Sequence, residues 1–553
     1  METSVNKMLE QSFKANWDYP ALSNFQGITL NYRDVARKIE KLHILFEQGG
    51  VKKGDKISIC SKNQAQWGVA FMSTITYGAV AVPILHEFKS GNIHHIVNHS
   101  ESKILFVEDS IFEQLNGSEM PGLEGIINIG DFSIFEAKSK KILEAREHLN
   151  ELFGKKYPKN FRPEHVNYHL DTPEELAMIN YTSGTTGFSK GVMLPYRSLW
   201  SNIQFGLDVF PQLNNTSNVV SMLPVAHMYG MMFEFLFEMC AGVHVHFLTR
   251  IPSPKIIMDA FAEIKPDIVI SVPLIIEKIY KKKLQPIINK TPMRVLLKLP
   301  LIDQQIEKKI KAELVKTFGG QFQEIVIGGA AFNREAESFF RKIKFPFTVG
   351  YGMTECAPII TYAPWDQTRL HSCGKSAPRM QIKIDSEDQV NIPGEILVKG
   401  DNVMLGYYKN QEATDAMFTS DGWMRTGDMG VIDKDGFLYI KGRSKSMILG
   451  ASGQNIYPEE IESIINNLPY VVESLIIEEK GGLTALVYPD FELAEADGLS
   501  EADLKKKMEE NKIEANVDLP NYCKIANIEI FPEEFEKTPK RSIKRFLYQR
   551  TQN

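Results

Sequence analysis

Between positions 32 and 46 apolar residues recur at helical spacing (Tyr32, Val35, Ala36, Ile39, Leu42, Phe46), and Gly49-Gly50 interrupts the pattern before a short apolar strand at 56–60. The same alternation continues. Helices are predicted around 65–76 and 92–98, each followed by an apolar strand, at 79–84 and 103–107, with further β-rich runs at 219–222, 243–247, 267–272 and 324–327. Strands separated by helices of this length imply largely parallel, buried sheets. The texture changes after about Ser372, where 381–385, 394–399 and 430–442 alternate apolar and polar positions and Lys434-Asp435-Gly436 marks a hairpin turn. A small antiparallel β-subdomain is expected there. Beyond Arg443 a helix from Pro458, a hairpin turning at Gly481-Gly482, a polar helix at 501–510 and a strand at 525–531 form a separate α+β unit. The fold class is therefore α/β: a large N-terminal unit, 1–443, of parallel-rich sheets with helices plus the β-subdomain, and a smaller C-terminal unit, 444–553.

With 553 residues, 43% hydrophobic and 24% charged, the chain has ordinary globular composition, which excludes disorder, collagen and coiled coil. Lys plus Arg is 63 against 69 Asp plus Glu, a net charge of -6, so no global positive field is available for nucleic acid, and no nucleic-acid partner is expected. The five cysteines are scattered without CxxC spacing, which fits a reducing cytoplasm better than a disulfide framework. Positions 1–19 lack the basic start and apolar centre of a secretory signal, and no run approaches ~18 apolar residues, so neither export nor a membrane span is expected.

The most informative stretch is Ile179-Asn-Tyr-Thr-Ser-Gly-Thr-Thr-Gly-Phe-Ser-Lys-Gly191, following a predicted strand at 177–181. Its glycines and hydroxyls, followed by Lys190, suit a loop that turns backbone N–H groups onto phosphate oxygens beside a point charge. It is not a Walker A loop, because Ser189 precedes the lysine and Gly191 follows it. Taken alone it is equally readable as a Ser/Thr/Gly linker. Gly350-Tyr-Gly-Met-Thr-Glu355 comes at the end of an apolar strand, where α/β sheets bind nucleotides. Trp423-Met-Arg-Thr-Gly-Asp428 adds a carboxylate suited to a ribose diol, and Arg443 adds a cation. Each of these alone is more often structural.

Together, in order, these segments resemble the adenylate-forming superfamily of acyl-CoA synthetases, luciferases and peptide-synthetase adenylation domains. Leu223-Pro-Val-Ala-His-Met-Tyr-Gly230 and residues 442–462 and 538–545 belong to the same series, and the resemblance spans essentially the whole chain. Residues 266–280, Ser452-Gly-Gln-Asn-Ile-Tyr-Pro-Glu-Glu-Ile-Glu462 and Phe535-Glu-Lys-Thr-Pro539 look most like the long-chain fatty acid–CoA ligases.

The resemblance implies a two-step reaction: a fatty carboxylate and Mg-ATP give acyl-adenylate and pyrophosphate, then coenzyme A displaces AMP. It places Thr182, Ser183, Gly184, Thr185, Thr186, Gly187 and Lys190 on the β- and γ-phosphates, and Glu355 with Thr182 on Mg2+. Gly329 and Ala330, with Gly350, Tyr351, Gly352, Met353 and Thr354, flank adenine, and Asp428 and Arg443 hold the ribose. His227 orients the carboxylate or adenylate. Lys445 matches a hinge about which the C-terminal unit turns between steps, and residues 450–454, including Gly453, would face the thiol.

One position departs from the pattern. Ser542 stands where similar enzymes carry a catalytic lysine near the C-terminus, so either Lys540 or Lys544 replaces it or adenylation is weak. Alternatives left open are another carboxylate, a carrier-protein thiol as acceptor, or a nucleotide-binding homologue with impaired adenylation. His94, His95 and His99 have spacing a zinc site could use, but a solvated helix face is the expected role. The cation-rich segment 278–316, including Lys281, Lys282 and Lys283, prompts the hypothesis of peripheral contact with anionic membrane. The oligomeric state is left open, with a homodimer as one option.

Overall fold

The computed structural model describes residues 3–182, 190–250, 252–280, 302–449, 454–479, 482–538 and 543–549. Ser183, Gly184, Thr185, Thr186, Gly187, Gly453, Lys540, Ser542 and the proposed membrane-contact lysines Lys281, Lys282 and Lys283 lie outside the described residues.

The alternation at the start of the chain becomes one eight-stranded sheet. Its spatial order is Gly406–Tyr407, Lys190–Pro195, Leu176–Thr182, Val80–Ile84, Lys56–Cys60, Ser102–Val107, Gly125–Asn128 and Ile134–Ala137. The strands from Leu176–Thr182 to Gly125–Asn128 run parallel, and those at both margins are antiparallel. The central strand Val80–Ile84 is buried at every position, which is why it reads as a continuous apolar run rather than an alternation. Helix Tyr32–Gly49 carries an Asn31–Asp34 capping box and is closed by Gly50, whose φ of 85° only glycine adopts readily, so it stops at the glycine pair as expected.

A four-stranded sheet contains Asn218–Ser221, His244–Phe247, Pro20–Asn24 and Thr29–Asn31 in that order. A three-stranded parallel sheet contains Val269–Ser271, Ile325–Ile327 and Phe347–Val349. The antiparallel β-subdomain forms as expected from Met380–Asp385, Gly394–Gly400, Met424–Ile432 and Leu438–Arg443. The C-terminal unit packs helices Pro458–Ile465 and Glu501–Asp518 on the strands Val471–Glu479, Gly482–Pro489 and Ile525–Ile530. The second of these helices runs well past the predicted end at 510, because no Gly or Pro interrupts it until Leu519-Pro520.

One apolar core extends from Val5 to Leu438, and separate clusters form around Ile456 to Ile525 and around Leu475, Ile477, Leu486 and Phe535. Polar contacts cross the divide: Arg334 to Glu460 at 3.4 Å, Lys441 to Glu460 at 3.2 Å, and an Asn333–Asn467 hydrogen bond. Among the described residues no helix is long and apolar enough to cross a membrane.

The three histidines correct an expectation. Helix Ser90–Ser100 turns His94 inward and leaves His95 and His99 half-buried. His94 is buried; its Nε2 accepts from the Asn116 N–H at 3.1 Å, which leaves Nδ1 to donate to Glu119 at 2.9 Å. His99 Nδ1 lies 2.7 Å from the Tyr181 hydroxyl. These contacts tie the helix to its neighbours.

Candidate active site

The strands Leu176–Thr182 and Lys190–Pro195 pair antiparallel with Thr182 opposite Lys190, so these two residues face each other at the end of the strand pair. The Lys190 ammonium lies 4.9 Å from the centroid of the Tyr407 ring, and the Tyr407 hydroxyl donates to Glu355 Oε1 at 2.9 Å. Glu355 is buried, and its backbone carbonyl accepts from Met404 N–H at 2.9 Å. Burial, then the Glu355 charge, pushes the Tyr407 phenol well up, so it stays a neutral donor. Among the described residues Glu355 Oε2 has no hydrogen-bond partner, and oxygen donors of this kind suit a hard cation.

Residues 350–355 leave the carboxyl end of strand Phe347–Val349. Gly352 is required by crowding: a Cβ there would lie 2.3 Å from the Pro358 carbonyl oxygen. The neighbouring strand Ile325–Ile327 ends in Gly328 and Gly329, the latter at φ 89°, with Ala330 exposed beyond them. The residues expected to flank adenine thus gather at adjacent strand ends of one parallel sheet.

Asp428 and Arg443 are direct partners in the register of strands Met424–Ile432 and Leu438–Arg443. Arg443 Nε is 2.8 Å from Asp428 Oδ1, and the Tyr351 hydroxyl donates to Oδ2 at 2.5 Å. Burial pushes the Asp428 carboxyl up; Arg443 and the Tyr351 hydroxyl oppose this, and the Glu459 and Glu355 charges add to the upward push.

His227 caps helix Met228–Met231, its Nδ1 accepting from Tyr229 N–H at 3.3 Å. Tyr229 then donates to the Val326 carbonyl at 3.0 Å, and a Cβ on Gly328 would lie 3.0 Å from its ring. This joins the histidine loop to the sheet that ends in Gly328. Buried Glu234, in a π-helical turn at Met232–Leu236, accepts from the N–H groups of Met222 and Leu223 at 3.0 and 2.9 Å and holds the other side of that loop.

Lys445 is exposed in a 3-10 turn, Ser444–Ser446, directly after Arg443. Lys544 pairs with Glu536 at 3.1 Å within the C-terminal unit, while Arg545 bridges buried Glu462 and lies 3.5 Å from Glu459.

Sequence reasoning assigned no role to Tyr407 or Glu234. An acid inside the apolar run 228–237 was a usable signal for Glu234; Tyr407 gave none, because a tyrosine after a glycine is ordinary in a strand.

The fold defines the class. The structure resembles that of the anthranilate CoA ligase AuaEII in complex with anthranoyl-AMP, with a TM-score of 0.79 at 18% identity, covering 99% of this chain and 96% of that one. It also resembles o-succinylbenzoate coenzyme A synthetase of Bacillus subtilis in complex with ATP and magnesium ion, with a TM-score of 0.73 at 21% identity and 98% of each chain covered. Residues 9–408 match the family described as AMP-binding enzyme, and the chain belongs to that family of adenylate-forming enzymes. Curated relatives include a long-chain-fatty-acid–CoA ligase of Escherichia coli, 27% identical over 91% of this chain and 87% of its own length. Another is long-chain-fatty-acid–CoA ligase FadD15 of Mycobacterium bovis, 26% identical over 90% of this chain and 86% of its own.

Proposed function

We propose that the protein is an ATP-dependent long-chain fatty acid–CoA ligase working through an acyl-adenylate. The observation that carries this reading is the course of residues 350–355, which connect the Asp428–Arg443 pair, through Tyr351, to the Lys190–Tyr407–Glu355 cluster. A carboxylate suited to a ribose and a lysine suited to phosphates are thereby set at the two ends of one short segment. The long-chain assignment is supported by the names of the curated relatives.

In this reading Asp428 accepts from the ribose hydroxyls, Gly329, Ala330 and residues 350–354 flank adenine, and Lys190 with Thr182 and residues 183–187 neutralises the β- and γ-phosphates. Glu355 and Thr182 would hold Mg2+, which supplies charge neutralisation on phosphate oxygens. Among the described residues no group of three or more His, Cys, Asp or Glu side chains could hold a metal ion, which agrees with a Mg2+ shared between one or two protein oxygens and substrate phosphates. His227 would orient the fatty carboxylate as its oxygen attacks the α-phosphorus and pyrophosphate departs. In the second step the coenzyme A thiolate attacks the acyl carbon, and AMP leaves with the bonding pair of the acyl–oxygen bond.

We further propose that 1–443 and 444–553 are the moving parts, with Lys445 at the hinge. The separate cores and the polar contacts between them support this division. Lys540 or Lys544 then takes the place of the lysine missing at Ser542. For Lys544 this requires leaving Glu536.

A panel of carboxylates with ATP and coenzyme A, scored by AMP and thioester formation, tests the reading. Long-chain acids should give the highest kcat/KM. Preference for a medium-chain or aryl acid would overturn the substrate class, and no AMP release with any acid would overturn the activity. Pyrophosphate exchange in Lys540→Ala and Lys544→Ala tests the substitution by a neighbour; if neither slows exchange, that part is wrong.

A further inference from the structure

We infer that Tyr407 is a positioning residue that holds Glu355 and Lys190 apart while fixing both, so that one remains open to a cation and the other to an anion. The inference rests on the proposed role of Glu355 in Mg2+ binding. Its basis is the strand register. Gly406–Tyr407 pairs antiparallel with Lys190–Pro195, setting Tyr407 opposite Val192, and Lys190, two residues along on the same face, becomes its diagonal neighbour. The backbone around it is tied closely: Leu405 N–H donates to Met193 at 2.9 Å, Tyr408 N–H to Gly191 at 2.7 Å, and Tyr407 N–H to Thr414 Oγ1 at 2.8 Å. Gly406 has φ 142°, and a Cβ on it would lie 2.6 Å from the Thr414 methyl, so this register tolerates no side chain there.

From that fixed strand a single ring does two things. Its hydroxyl occupies Glu355 Oε1 at 2.9 Å, and its face carries the Lys190 ammonium at 4.9 Å from the centroid. Among the described residues the Lys190 ammonium thus meets the ring face and Glu355 its hydroxyl, with no ion pair between the two. Opposite charges gathered on one ring, if freed from it, could pair and cancel.

The test compares Tyr407→Phe, which keeps the ring and removes the hydroxyl, with Tyr407→Leu, which removes both. Divalent-ion binding is read directly, by Mn2+ titration with a non-hydrolysable ATP analogue followed through water-proton relaxation, and steady-state kinetics are measured alongside. In Tyr407→Phe the half-saturating Mn2+ and Mg2+ concentrations should rise about tenfold, the usual scale for losing a hydrogen bond to a metal-binding carboxylate, while KM for ATP at saturating Mg2+ stays within about twofold. Tyr407→Leu should raise both. A lowered melting temperature with unchanged divalent-ion dependence in both variants would mean the tyrosine is merely structural and overturns the inference. Glu355→Gln separates the two layers: if it leaves divalent-ion binding unchanged, the functional reading of Glu355 fails; if it weakens binding and Tyr407→Phe does not, only the role of Tyr407 fails.

Discussion

Replacing Arg443 with alanine isolates the half of the site expected to hold the ribose. Arg443 Nε sits 2.8 Å from Asp428 Oδ1, but the arginine side chain is 62% exposed while the aspartate is only 7% exposed. Two unit charges about 4 Å apart at an effective dielectric of about 20 attract by roughly 4 kcal/mol. Exposure of the guanidinium reduces that, and about 1–2 kcal/mol is the reasonable share. Loss of kcat/KM for ATP by about 5–30-fold follows at neutral pH. A second effect has a sign of its own. Burial already pushes the Asp428 carboxyl up, and Arg443 is the largest opposing influence. Without it the carboxyl is pushed further and binds a proton at higher pH, and a protonated carboxyl accepts fewer hydroxyl donors. The deficit in ATP use should therefore be greatest at acid pH and shrink as pH rises. Stability should move the other way: a carboxyl with a raised folded-state pKa binds more protons folded than unfolded, so its contribution is present at low pH and lost as pH rises through the raised value. Pyrophosphate exchange and thermal unfolding, measured across the same pH series for wild type and Arg443→Ala, read both trends. Superimposable pH profiles, or a deficit that widens toward alkaline pH, would refute the reasoning.

Arg545→Ala removes the cation that pairs with buried Glu462, whose other contact is the Ile476 N–H at 2.7 Å, and should destabilise the C-terminal unit by about 2–4 kcal/mol at neutral pH, read by urea unfolding of the full chain. Burial pushes the Glu462 carboxyl up, so the loss should lessen at acid pH and be relieved by adding Glu462→Gln; equal loss at all pH values would contradict it. Gly352→Ala puts a methyl 2.3 Å from the Pro358 carbonyl oxygen and should cost about 1–3 kcal/mol in thermal unfolding, with weaker ATP binding by calorimetry; an unchanged protein would show that the segment yields freely. Tyr229→Phe removes the bond to the Val326 carbonyl and should cost about 0.5–1.5 kcal/mol, with kcat/KM falling for the carboxylate more than for ATP if the ring positions His227.

What could be read from the residues followed from how local each signal is. Strand 56–60 and the turn at Lys434-Asp435-Gly436 needed only their neighbours, and both stand where periodicity put them. Gly350 and Gly352 stood at the end of an apolar strand in the sequence, and at Gly352 close approach of the Pro358 carbonyl leaves no room for a side chain. The histidine helix misled because solvation is a property of the packed chain: His94 meets Glu119 and His99 meets Tyr181 only after folding. The helix that continues to Asp518 outruns its expected end for a different reason: its exposed Ile513 and Val517 blur the apolar periodicity, while the absence of Gly or Pro before Pro520 lets it run on.

Tyr407 shows where local reading ends. Its chemistry depends on an edge strand pairing that brings residue 407 beside residue 190, and on a carboxylate at 355 reached from a third segment. No spacing rule connects three positions so far apart, and tyrosine is a common strand residue without them. Motifs identify the groups that touch a substrate because those groups sit in short, glycine-bounded loops. The residues that hold such groups in place need only a side chain of suitable shape at the end of a long tertiary connection, so they leave little trace in the linear pattern and become visible through register, distance and burial.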